Sequence, residues 1–107
     1  MSQHREIAPA EAAALVAAGA LMVDIREASE RELGVIPGAA HAPLSSLAAA
    51  NIEAAPKQPI IFHCKAGGRT KSNATALSRK AGDRQTYLLK GGFDEWVAAG
   101  LPVATPR

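Results

Sequence analysis

A single cysteine, Cys64, stands among 107 residues, so the chain has neither an internal disulfide nor a CxxC pair for redox or zinc chemistry. Aromatic side chains are almost as scarce: Phe62, Tyr87, Phe93 and Trp96 are all there are, against 24 alanines. A thin core of Ile, Leu and Val, with helices packed closely through Ala, is therefore expected. No sign of charge predominates, since 12 Lys and Arg face 10 Asp and Glu for a net +2. That balance is too mild to argue for nucleic acid or an anionic membrane surface as partner. The nearly apolar stretch from Ala12 to Val23 is too short and too rich in Ala to cross a bilayer. Ala18-Gly19-Ala20 has the look of a signal cleavage site, but Glu6 and Glu11 spoil the basic start that a secretory signal needs. A cytoplasmic location is expected, where a lone reduced thiol persists. His4, His41 and His63 have no metal-ligand spacing, and there is neither a G-x-S-x-G elbow nor a phosphate loop ending in Gly-Lys-Ser/Thr. No metal and no organic cofactor is expected.

What is present is an alternation of short apolar runs with Ala-rich helical stretches, which predicts one α/β domain over residues 1–107 with a mostly parallel sheet. Pro9 and Glu11 open a helix carrying Leu15 and Val16, Gly19 ends it, and Leu21 to Ile25 is a short buried strand. The segment Gly34 to Pro43 reads as a shaped loop with at most a short strand near Ala39 to Ala42, followed by a helix through Leu47 to about Ala50 capped by Ser45 or Ser46. Ile60 to His63 is continuously apolar apart from its last residue, the pattern of a central strand buried on both faces. From about Thr70 to Ala81 the composition is helical, Thr86 to Leu89 is another strand, and Phe93, Trp96 and Val97 share one face of a final short helix, more consistent with core than with a ligand stack.

Cys64 follows the central strand directly and precedes a helix, a position at which open α/β sheets bind ligands. Gly67 and Gly68 let the loop curl so that several N–H groups point inward, and Lys65 and Arg69 add positive charge beside the sulfur. Such surroundings stabilise negative charge on a thiol and predict a nucleophile rather than an inert buried cysteine. A cysteine loop ending in Arg also resembles that of phosphotyrosine-type phosphatases and arsenate reductases, which carry five residues between Cys and Arg. Here only Lys65, Ala66, Gly67 and Gly68 intervene, and a ring shorter by one residue is too narrow for a tetrahedral phosphate or arsenate.

Four segments in order resemble the rhodanese family of sulfurtransferases in its single-domain form, over nearly the whole chain. They are Val23-Asp24-Ile25-Arg26-Glu27; Val35-Ile36-Pro37-Gly38-Ala39 with Pro43-Leu44; Cys64 to Thr70; and Leu89-Lys90-Gly91-Gly92-Phe93 with Trp96 and Gly100-Leu101-Pro102-Val103. The resemblance implies a three-layer α/β fold, a central parallel five-stranded sheet with helices on both faces. It also implies that Cys64 takes a sulfane sulfur from a donor such as thiosulfate, holds it as a persulfide, and passes it to cyanide, a thiol or a protein acceptor. In that scheme Lys65 and Arg69 guide a small anionic donor, and N–H groups across Lys65, Ala66, Gly67, Gly68, Arg69 and Thr70 stabilise the persulfide. Val35 departs from the family, which carries His there; the position lies outside the nucleophile loop and bears on packing more than on chemistry. A different class of reading is a sulfur-carrying or regulatory binding module, or an interaction domain with an inert thiol.

Asp24 and Arg26 lie at a strand's C-terminal end, where a buried pair supporting the loops is expected. His63 lies inside its strand and its side chain should point away from that of Cys64, which favours a structural role. Seven basic residues between Lys65 and Lys90 face only Asp83, a charge that could steer anionic donors or an acidic partner protein.

Overall fold

The computed structural model describes residues 4–105. Five strands form one sheet in the order β1-β5-β4-β2-β3, every neighbouring pair parallel. They are β1 (His4–Ile7), β2 (Leu21–Asp24), β3 (Ala40–His41), β4 (Ile60–His63) and β5 (Thr86–Leu89). The helices are α1 (Pro9–Ala17), α2 (Ala28–Arg31), α3 (Gly68–Ser72), α4 (Ala74–Ala81) and α5 (Gly92–Ala98), with a 3-10 turn at Leu44–Ala49.

The two-residue period of the strands divides the core into two layers. Val23, Ile25, Ile60, Phe62, Cys64 and Leu88 face one side, where they pack with Leu47 and with Ala74, Leu77 and Ala81 of α4. Met22, Ile61 and Leu89 face the other, against Ala12 of α1 and Phe93 and Trp96 of α5. Ala at positions 12, 74 and 81 lets the helix backbones approach the sheet, which is how a chain poor in aromatics still closes its core. Helices thus cover both faces of a parallel sheet, as the alternating pattern requires.

Some local expectations are corrected. The helical stretch after Cys64 is broken at Asn73, whose side chain donates to the Arg69 carbonyl at 2.8 Å and so closes α3 before α4 begins. Neither Ser45 nor Ser46 caps the 3-10 turn; Pro43 holds that position, and the Ser45 hydroxyl donates to Glu27 at 2.6 Å. Val97 is 47% exposed and lies outside the core that Phe93 and Trp96 enter. Trp96 also donates from its indole N–H to the Pro102 carbonyl at 2.7 Å, tying down the segment after α5. That segment returns as an antiparallel bridge between Ala104 and Val35, so the buried Val35 is used through its backbone and its packing.

Candidate active site

Cys64 leaves the C-terminal edge of β4, and its side chain, only 1% exposed, sits at the floor of the loop that follows. Gly67 has a positive φ of 95°, which turns its N–H toward the sulfur at 3.1 Å. The Thr70 hydroxyl donates to the Gly67 carbonyl at 3.0 Å and thereby presents its oxygen 3.9 Å from Sγ. Lys65, Ala66 and Gly68 form the exposed rim, while Gly67 and Thr70 are buried beneath it.

A second glycine turn holds this loop in place. The N–H of Phe93 donates to the Cys64 carbonyl at 2.8 Å and that of Asp94 to the Lys65 carbonyl at 2.9 Å, so the first turn of α5 clamps the first two loop residues. Such close approach needs Gly92, where a Cβ would fall 2.6 Å from both carbonyl oxygens. Gly92→Ala is expected to cost about 3 kcal/mol, part strain at positive φ and part backbone displacement. Gly100→Ala, also at positive φ (76°) but with open space around it, is expected to cost about 1 kcal/mol. Urea denaturation of the two variants measures the difference, and equal losses would mean that the loop contact adds nothing.

Asp24 and Arg26 form a buried pair beside the loop rather than in it. Arg26 donates to the Asp24 carboxylate from Nε at 3.0 Å and Nη2 at 2.9 Å, and from its backbone N–H at 2.9 Å. Burial by itself pushes the Asp24 carboxyl up, but the hydrogen bonds and charge of Arg26 outweigh it and hold the group below its ordinary value. Arg26 reaches on to the Gly34 carbonyl at 2.8 Å and lies over the Phe93 ring at 4.3 Å. The pair therefore meets the residue whose N–H holds Cys64.

The His63 side chain points to the opposite face from Cys64, with Nδ1–H donating to the Cys64 carbonyl at 3.1 Å and Nε2 3.7 Å from Asp24 Oδ2. Burial holds its pKa below the ordinary imidazole value, so the folded ring is neutral near pH 7. An unfolded chain takes up that proton near pH 6.5, so stability is full above about pH 6.5 and falls below it with a limiting slope of about 1.4 kcal/mol per pH unit. The thermal midpoint followed by circular dichroism from pH 7.5 to 5 is expected to be level and then to decline. A midpoint that rises on acidification would rule out a neutral buried His63.

Both loop cations are occupied by carboxylates absent from the sequence reading. Arg69 makes a two-pronged contact with Glu30, Nη1 to Oε1 and Nη2 to Oε2, each 2.7 Å. Lys65 Nζ lies 3.0 Å from Asp94 Oδ2. Part of the basic stretch is likewise used structurally: Arg84 donates to the carbonyls of Ala54, Ala55 and Ala81, and Lys80 to that of Ala48. The ion-pair partners lie 39 and 29 residues away from the cations they meet, so no local motif points to them. Among the described residues no cluster of His, Cys, Asp and Glu suits a metal ion, and no helix is long and apolar enough to cross a membrane.

The chain is similar to known proteins in sequence and in fold. The family model for the rhodanese-like domain matches residues 8–99. The chain is 36% identical over 98 residues to the thiosulfate sulfurtransferase GlpE of Ectopseudomonas mendocina, covering 92% of this chain and 89% of that protein. It is 30% identical to a sulfurtransferase of Allochromatium vinosum, over 81% of this chain and 80% of the other. Among solved structures, a rhodanese-related protein from Thermoplasma volcanium superposes with a TM-score of 0.78 at 23% identity, covering 94% of this chain and 97% of that one. At that identity the superposition speaks to the fold.

Proposed function

The chain belongs to the rhodanese-like domain family, and from that premise we propose that it is a sulfurtransferase that moves sulfane sulfur through a persulfide on Cys64. The observation that carries the reading is the Gly67 N–H aimed at Sγ from 3.1 Å, in a loop whose first two carbonyls, of Cys64 and Lys65, are turned toward α5. A donor N–H fixed there stabilises negative charge on sulfur before and after the transfer without reorganising.

With thiosulfate as donor, the Cys64 thiolate attacks the outer, sulfane sulfur. A new S–S bond forms, the S–S bond of thiosulfate breaks, and sulfite leaves with its electron pair. Cyanide or a thiol then attacks the outer sulfur of the persulfide. With cyanide, thiocyanate departs and the Cys64 thiolate is restored. Both half-reactions balance on the two substrates alone. Lys65 and Arg69 supply the positive charge that draws an anionic donor to the rim, and Ala66, Gly68 and Thr70 complete the ring around the outer sulfur. The named activity of the GlpE relatives supports thiosulfate as one donor, and a cytoplasmic setting would keep the lone thiol reduced.

Intact mass after incubation with thiosulfate, followed by addition of cyanide, tests the reading. A gain of one sulfur atom that cyanide discharges as thiocyanate is the expected result. No gain with thiosulfate or with a small-molecule persulfide, on folded protein whose thiol alkylates slowly, would overturn it in favour of an interaction domain.

A further inference from the structure

Arg69 meets an internal anion before it can meet an external one. Glu30 is placed by its own helix: Oε1 accepts the Glu27 N–H at 3.0 Å while the Glu27 side chain accepts the Glu30 N–H, a reciprocal capping box at the start of α2, so the carboxylate is held facing the loop. Both of its oxygens are then taken by the two Nη groups of Arg69. Parallel N–H donors on a planar guanidinium are also the geometry by which Arg holds the oxygens of a sulfonate or thiosulfonate end. The two loop cations differ in this respect. Lys65–Asp94 is half exposed on each side and water screens it, whereas Arg69 and Glu30 are 35% and 28% exposed and share two short bonds. Hydrogen bonding from Arg69 holds the Glu30 pKa down to about 2, so its charge persists throughout the neutral range.

Glu30 has somewhere to go when displaced. It lines a cleft of about 220 Å³ together with Arg26, Leu33, Lys65, Phe93 and Asp94, and the cleft lies open beside the loop. Leaving Arg69 needs no repacking of the core.

Resting on the sulfurtransferase reading, we infer that Glu30 is a specificity-determining residue, an internal competitor that occupies the Arg69 fork so that anionic donors bind there only by displacing it. The affinity for small oxyanion donors is therefore set by this competition. Donors without a negative end gain nothing from Arg69 and are indifferent to Glu30.

The test uses the whole chain and compares alkylation of Cys64 by iodoacetate, an anion, with alkylation by neutral iodoacetamide. In Glu30→Gln the amide oxygen still accepts the Glu27 N–H, while the charge is gone. The iodoacetate-to-iodoacetamide rate ratio is expected to rise about fivefold, and KM for thiosulfate to fall by a similar factor. Glu30→Asp, which keeps the charge but shortens the reach by one methylene, is expected to give a smaller rise. An unchanged ratio in both variants overturns the inference even where the wild-type protein takes up sulfur. A fall in the ratio overturns it too, making Glu30 a positioning residue for Arg69. A raised ratio on protein that forms no persulfide sustains Glu30 as the competitor for anions and fails only the sulfurtransferase reading.

Discussion

Replacing Cys64 by serine is expected to lower sulfur transfer by at least about four orders of magnitude, to the solution background, while leaving the protein folded. The two effects have separate physical origins. A serine hydroxyl is almost wholly protonated near neutral pH and is a far poorer nucleophile toward sulfur, so it neither attacks the donor nor holds the transferred atom as a persulfide. Its oxygen nevertheless fits the space and stays within reach of the Gly67 N–H that now bonds to sulfur at 3.1 Å. Setting a hydroxyl among Phe62, Leu77 and Leu88 removes some apolar contact, for a stability change of about 1 kcal/mol. Thiocyanate production and intact mass measure the first effect, and a urea melt the second. No other cysteine exists to take over, so persistent sulfur uptake by the serine variant would remove Cys64 from the mechanism.

The largest loss of stability is expected from Asp24→Ala, about 4 kcal/mol. Arg26 is 2% exposed and receives its compensation from Asp24 through the Nε–Nη2 edge of its guanidinium, with further contacts to the Gly34 carbonyl and the Phe93 ring. Removing the carboxylate leaves a buried guanidinium without a counter-charge, and water cannot reach it cheaply. For a domain of this size a loss of that order lowers the thermal midpoint by about 20 °C. Removing both partners together, Asp24→Leu with Arg26→Met, is expected to cost less than the single change, because it deletes the unpaired charge along with its partner. A single variant that loses less than about 1 kcal/mol, or a double variant that loses more than the single one, would show that the pair does not hold this corner of the fold. The consequence for chemistry follows through Phe93: once its ring is unseated from Arg26, the N–H that holds the Cys64 carbonyl is less well fixed, so thiol alkylation should slow or quicken along with the loss of stability.

Local pattern made much of this protein legible. Ile60 to Phe62 runs apolar without interruption because β4 is covered on both faces, and β5 shows the same signal in Leu88 and Leu89. Proline at the head of α1 and the glycine after α4 mark helix ends wherever they occur, since their backbone preferences belong to the residue itself. The loop from Cys64 to Thr70 stands out for the same reason: a thiol, two glycines and two cations fall within seven consecutive positions.

Other features carried no such signal. β1, at the sheet's edge, exposes His4, Arg5 and Glu6 and buries only Ile7, so it has neither an apolar run nor an alternation. The four-residue α2 is too short to show a period, and the break at Asn73 depends on one side chain folding back onto the turn before it. Gly91 and Gly92 read as a turn, yet the requirement for glycine at position 92 comes from carbonyls of Cys64 and Lys65 pressed against it.

Hydrophobic period and turn chemistry are properties of neighbouring residues, so they suffice to specify a parallel α/β sheet with a glycine-rich cysteine loop at the end of its central strand. Tertiary structure alone decided what surrounds that loop: which carboxylate takes each cation, which helix clamps the Cys64 carbonyl, and which buried pair lies behind it. Those contacts join segments tens of residues apart, and they exist only once the order of strands in the sheet has brought the ends of β2, β4 and β5 to one edge.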